Sequence, residues 1–147
     1  MMRIVAVLAA VLLSSSCAGG RLDGGAPEGR WKISEVGGQG LAQESELDFD
    51  GAGRRLGIYA GCNRLSADYE ADDGNIRFGH VVSTLMACPE TAAADAEERI
   101  SRALEKASAF RIRDGVLFIE DGGRNVLLRA VRVEGKPPAG EDGRAIR

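Results

Sequence analysis

Residues 109–133 read AFRIRDGVLFIEDGGRNVLLRAVRV, three short apolar runs cut by two turn signals. Phe110 and Ile112 alternate with arginines up to Asp114-Gly115, a two-residue link of the kind that takes positive φ in a tight hairpin. Val116 to Ile119 follows and stops at Asp121-Gly122-Gly123, after which Val126 to Val133 resumes the apolar pattern. Runs this short, bounded by Asp and Gly, read as consecutive antiparallel strands.

The same texture extends upstream. Trp31 and Ile33 alternate, Leu47 and Phe49 lead into the turn Asp50-Gly51-Ala52-Gly53, and Leu56, Ile58 and Ala60 lie beyond it. A strand around Leu65 to Tyr69 runs into Asp72-Asp73-Gly74-Asn75, another hairpin signal, and Ile76 and Phe78 continue the return. Between Pro89 and Ala107 the period changes: Ala96, Ile100, Ala103, Leu104 and Ala107 recur at helical spacing, with Glu97, Glu98, Arg99, Arg102 and Glu105 on the other faces. Pro89 suits the lead-in or first turn, where its missing N–H costs least. The expected class is α+β, an antiparallel sheet meander with one helix laying a narrow apolar stripe on it. At 147 residues, 44% hydrophobic and 28% charged, the chain has room for one domain with extensions. A net charge of -3 and scattered arginines provide no basic run to neutralise phosphates, so nucleic acid is not an expected partner.

The first residues have another purpose. Arg3, the apolar run Ile4 to Leu13 and Ser14-Ser15-Ser16 lead to Cys17. Ten apolar residues rise only about 15 Å as a helix, half a bilayer core, so the stretch reads as an export signal and not a span. Small residues before a cysteine resemble a lipobox, with Ser14 in the place where Leu is usual. The expectation is a signal peptide over 1–16, lipid on Cys17, a Gly-rich leash over 17–30 with roughly 20 Å of reach, a domain over 31–133 and an unordered tail over 134–147. Each buried methylene contributes about 0.8 kcal/mol, so two or three acyl chains hold such a protein on its membrane. Ala18, unlike an Asp, directs it to the outer membrane, facing the periplasm, if sorting follows the enterobacterial rule.

Trp31, the run Gly61-Cys62-Asn63-Arg64 followed by Tyr69, and Ser83-Thr84-Leu85-Met86-Ala87-Cys88-Pro89 leading to a helix with Glu97 and Leu104 resemble the META-domain family, which includes HslJ-like heat-shock lipoproteins. The likeness covers Arg30 to Val133. It departs at Ala67, Leu85, Ile100 and Phe110, where Gly, Arg, an aromatic and Tyr are common. The resemblance implies an antiparallel sheet or open barrel-like structure with one helix packed on it, a role in the envelope under stress, and no catalytic residue to carry over.

With Cys17 lipidated, Cys62 and Cys88 remain as an even pair in an oxidising compartment. A bridge closing that loop of roughly 27 residues would stabilise the fold by about 3.5 kcal/mol on the loop-entropy account; two buried thiols, or a redox or metal role, are the other readings. His80, the one histidine, has no partner at metal-site spacing. Asp68, Glu70, Asp72 and Asp73 lack the Gly and terminal Glu of a calcium loop, and Ser83 and Thr84 lie in no nucleophile elbow. Asn63 is expected to close a turn on its own backbone, or else to join Arg64, Tyr69, Thr84, Leu85 and Met86 in a binding surface. No cofactor, metal or catalytic set is expected. The favoured function is a non-catalytic, lipid-anchored envelope module that binds a protein partner or supports envelope integrity under stress. The alternative is a carrier of a lipid or small apolar ligand between sheet and helix.

Overall fold

The computed structural model describes residues 25–87, 89 and 91–134. The signal stretch, Cys17, Cys88 and the segment from 135 onward lie outside the described residues.

Nine strands and one helix follow in chain order: β1 (Gly29–Val36), β2 (Glu46–Asp50), β3 (Arg55–Tyr59), β4 (Arg64–Asp72), β5 (Asn75–Phe78), β6 (Val82–Ser83), α1 (Thr91–Lys106), β7 (Ala109–Arg113), β8 (Val116–Glu120) and β9 (Val126–Arg132). The deciding stretch folds as its pattern dictates. Asp114 and Gly115 take φ of 52° and 74°, the twist that lets β7 and β8 pair without splaying, with Phe110 opposite Ile119 and Ile112 opposite Leu117. β8 then pairs with β9, and β9 with β1.

The sheet does not stay open. Its order is β3-β2-β1-β9-β8-β7-β5-β4, and β3 pairs with β4 through Arg55↔Asp68 to Tyr59↔Arg64, so eight antiparallel strands close into a barrel, with β6 a short extra strand on β4. The expected α+β class and antiparallel, barrel-like meander hold, and the correction is that the barrel is closed and not open. Closure removes the two free edges that an open sheet would present. The seam between β5 and β7 rests on the single pair Asn75↔Ala109, a long-range contact that no local turn signal announces.

Period-two alternation fills the interior. Trp31, Leu47, Phe49, Leu56, Leu117, Ile119 and Leu128 are each at most 1% exposed. The helix touches β1, β5 and β9. β1 and β5 stand opposite one another in the ring, so α1 lies across one mouth of the barrel. Its buried face is Ala93, Ala96, Ile100, Ala103 and Leu104. Ile100 and Leu104, 0% and 1% exposed, each contribute about 1.5–3 kcal/mol by burial. They join the same buried cluster as the inward-facing strand residues.

The opposite mouth is closed by the incoming chain. Pro27 is fully buried, and the Arg132 guanidinium lies 4.2 Å from the centroid of the Trp31 ring while donating to the Glu28 carbonyl at 3.1 Å. Residues 25–30 therefore belong to the barrel, not to the leash: the ordered fold starts before Trp31 because burying Pro27 and pairing Gly29 with Phe49 outweigh the chain entropy of so short a segment.

Candidate binding surface at the helix-capped mouth

The link from β3 to β4 passes through Gly61, whose φ of 97° suits only glycine, and delivers Asn63 to the barrel rim beneath α1. The Asn63 side chain bonds away from its own turn. Its Oδ1 accepts from the Thr84 hydroxyl at 3.1 Å and from the Met86 N–H at 3.0 Å, and its Nδ2 donates to Glu97 on the helix at 2.9 Å. The other Glu97 oxygen accepts from Ser83 Oγ at 2.7 Å. Arg64 completes the frame through its backbone: its N–H donates to Thr84 Oγ1, and its carbonyl accepts from the Thr84 N–H. One amide side chain thus fixes the segment from β6 to the helix on two sides.

What this frame presents is apolar. Leu85 is 99% exposed, Met86 62% and Val82 54%. Beside them the Arg64 guanidinium sits 5.6 Å from the Tyr59 ring centroid, within cation–π reach. Of the six residues expected to share a surface, Asn63, Arg64, Thr84, Leu85 and Met86 are brought together. Tyr69 is not. It lies five residues along β4 on the inward side with Leu65 and Ala67, is 4% exposed, and stacks edge-on against Phe49 at 5.1 Å. Alternation from Leu65 already placed it inside. Burial, then the nearby Glu28 and Asp50 carboxylates, push its phenol up, opposed in part by Arg54.

Cys62 is disulfide-bonded; Cys88, the expected second half of the bridge, lies outside the described residues. His80 is exposed, as are Asp68, Glu70, Asp72 and Asp73. Sequence reasoning placed Glu97 on a solvent face of the helix and missed its role as the helix's tie to Asn63 and Ser83. It also missed Arg99, whose guanidinium donates to the carbonyls of Val36, Gln39 and Gly40 and so ties the β1–β2 loop to the same cap.

The family model described as the META domain matches residues 25–134. The chain belongs to the META-domain family. Among solved structures, it is similar to a protein from Burkholderia xenovorans determined by NMR, with a TM-score of 0.57 and 20% identity over 74% of this chain and 83% of that one. A second protein solved by NMR gives 0.55 and 17% over 71% and 89%. The crystal structure of a DUF4847-family protein from Bacteroides vulgatus at 1.00 Å gives 0.52 and 13% over 74% and 95%. At such identities the likeness of this META domain to the three concerns the fold. No curated protein matches the chain.

Proposed function

We propose that this META-domain protein is a lipid-anchored envelope lipoprotein, tethered through Cys17 in the outer membrane and facing the periplasm, whose domain docks a protein partner instead of catalysing a reaction. The observation that carries the reading is Leu85, 99% exposed on a segment that seven hydrogen bonds among Asn63, Arg64, Ser83, Thr84, Met86 and Glu97 hold in place. Free apolar side chains on a mobile loop collapse onto the nearest surface; a framed one stays out, at a cost in hydration that a partner's apolar groove would recover. A Cys62–Cys88 bridge would fasten the far end of the same segment.

The position of the anchor supports the same reading. The chain enters the fold at the Pro27 mouth, and Asn63 and the helix lie at the other, since β1 runs from Gly29 to Val36 and Arg99 holds Val36 at the capped end. A short leash to Cys17 then leaves Leu85 facing away from the bilayer, toward other envelope proteins. Site-specific photo-crosslinking in cells tests this. A crosslinker at Leu85 should yield a discrete protein adduct, and one at Asp73 should not; no adduct from Leu85, or equal adducts from both, would refute docking through the loop. Palmitate labelling that survives Cys17→Ala would refute the anchor separately.

A further inference from the structure

A second site lies on the barrel wall, away from the docking loop. β3 begins at Arg55, opposite Asp68, but β4 continues to Asp72 with only β5 beside it. Between the Gly53-Arg54 turn and this projecting hairpin a cavity of about 390 Å³ opens, with Tyr69 and Phe78 among its walls. A wetter groove of about 830 Å³, reaching Asn75 and Ser108, adjoins it, and Arg54, Glu70 and Arg77 line both.

Three observations bear on what would fit. The apolar wall is rigid: Phe49, Tyr69 and Phe78 form a ring triad with centroids 5.1 to 6.5 Å apart. The cations are free: among the described residues neither Arg54 nor Arg77 has an ion pair, whereas Asp68, an acid on the same wall, is paired with Arg55 at 3.5 Å. Tyr69, 96% buried, lines the cavity, with the Glu28 and Asp50 carboxylates near enough to push its phenol up further after burial has done so. Two guanidiniums without an ion pair among the described residues thus stand beside an aromatic wall. Glu70 offsets one of the two charges and Asp72 in the adjoining groove the other, which disfavours a bare multivalent anion and leaves apolar contact to provide the rest of the binding.

We propose that this cleft binds a small amphiphilic anion, a phosphate or carboxylate on an apolar body, with the body against Tyr69 and Phe78 and the anionic group between Arg54 and Arg77. Arginine forks suit both groups by planar, two-point hydrogen bonding. The reading is independent of the docking loop, which lies at the capped rim.

Amide-resolved NMR titration tests it with three probes: phenyl phosphate, hexyl phosphate and inorganic phosphate. The two esters should give saturable shifts centred on Gly53, Tyr69 and Gly79, at least tenfold tighter than inorganic phosphate. Preference for the phenyl ester points to an aromatic ligand and preference for the hexyl ester to a lipid-derived one; either result supports the amphiphile class. The double variant Arg54→Gln, Arg77→Gln should weaken both esters by at least tenfold. Both side chains are exposed, so its fold should persist, and unchanged amides elsewhere in the barrel verify that. Absence of saturable shifts, equal binding of inorganic phosphate, or undiminished binding by a folded double variant would overturn the proposal.

Discussion

The two mouths of this barrel are closed by opposite means. At the Pro27 end, closure is apolar and compact: Pro27 and Trp31 are fully buried, and Arg132 lies over the indole. At the capped end, the helix contributes an apolar face, but its attachment to the rim runs through side-chain hydrogen bonds from Asn63, Glu97 and Arg99. Apolar burial is non-directional and specifies little beyond exclusion of water. Hydrogen bonds are directional, so the capped end can hold a segment in one conformation with its hydrophobic residues outward. The Pro27 end is therefore closed by packing, and the capped end adds directional bonds to its buried helix face and presents the surface.

Trp31→Ala should produce the largest effect, about 3–5 kcal/mol of stability lost, because it empties a fully buried site under Arg132. Urea denaturation followed by far-UV circular dichroism measures it. A loss below about 1 kcal/mol would break the assignment of apolar closure to the Pro27 end.

Asn63→Ala should cost less, about 1–3 kcal/mol, by leaving the Met86 N–H, the Thr84 hydroxyl and Glu97 without their shared partner. Its distinguishing result is local: amide exchange should rise across residues 82–87 and stay unchanged in β7 to β9. Uniform acceleration through the barrel would mean that the polar frame is part of the core after all.

Leu85→Ser should change global stability by no more than about 0.5 kcal/mol, since the side chain touches almost nothing within the chain. Crosslinking to the partner from the neighbouring Met86 position should nevertheless fall severalfold. A stability change as large as that of Asn63→Ala would show Leu85 to be structural and remove the docking reading.

The difference between the mouths also explains what could be read in advance. Strands β7 to β9, the helix and its buried stripe follow from local pattern: Asp114-Gly115 sets a turn, and Ile100, Ala103 and Leu104 recur on one face. Trp31 announces its burial by type and alternation. The same rule, carried from Leu65 through Ala67, puts Tyr69 inside, yet its place beside Cys62-Asn63-Arg64 in a motif drew it to the surface. Closure of β3 on β4 and the Asn75↔Ala109 seam were not legible, because they depend on strand tilt and stagger around the whole ring. Nor was the tie from Asn63 to Glu97, 34 residues apart: a side-chain bond across that separation has no periodicity to betray it. Arg54 and Arg77 escaped because an arginine without a partner looks like any solvated charge until the cleft around it is seen.

Titration offers the smallest and most selective contrast. Asp121, in the β8–β9 turn beside the capped end, accepts hydrogen bonds at Oδ1 from the Asn125 side chain at 3.1 Å and from the N–H groups of Asn125 and Gly123 at 2.9 Å. The Asn125 side chain, then its N–H, hold the carboxyl below its ordinary 3.8, with Gly123 and the Lys106 charge assisting and desolvation opposing. A depressed folded value means that the contribution to stability is complete above the unfolded value and disappears as pH falls through the lower, folded one. Tyr69, beside Glu28 and Asp50 at the Pro27 end, is shifted the other way, chiefly by burial, so its contribution is complete below the ordinary 10.0 and is lost as pH rises through the higher folded value. Acid should therefore release the Gly123 and Asn125 amides to exchange while Trp31 fluorescence holds, and alkali should move Trp31 fluorescence while those amides stay protected. If both probes respond together at either extreme, the two mouths open as one cooperative unit and the contrast between them is energetic only, not a division into separately moving parts.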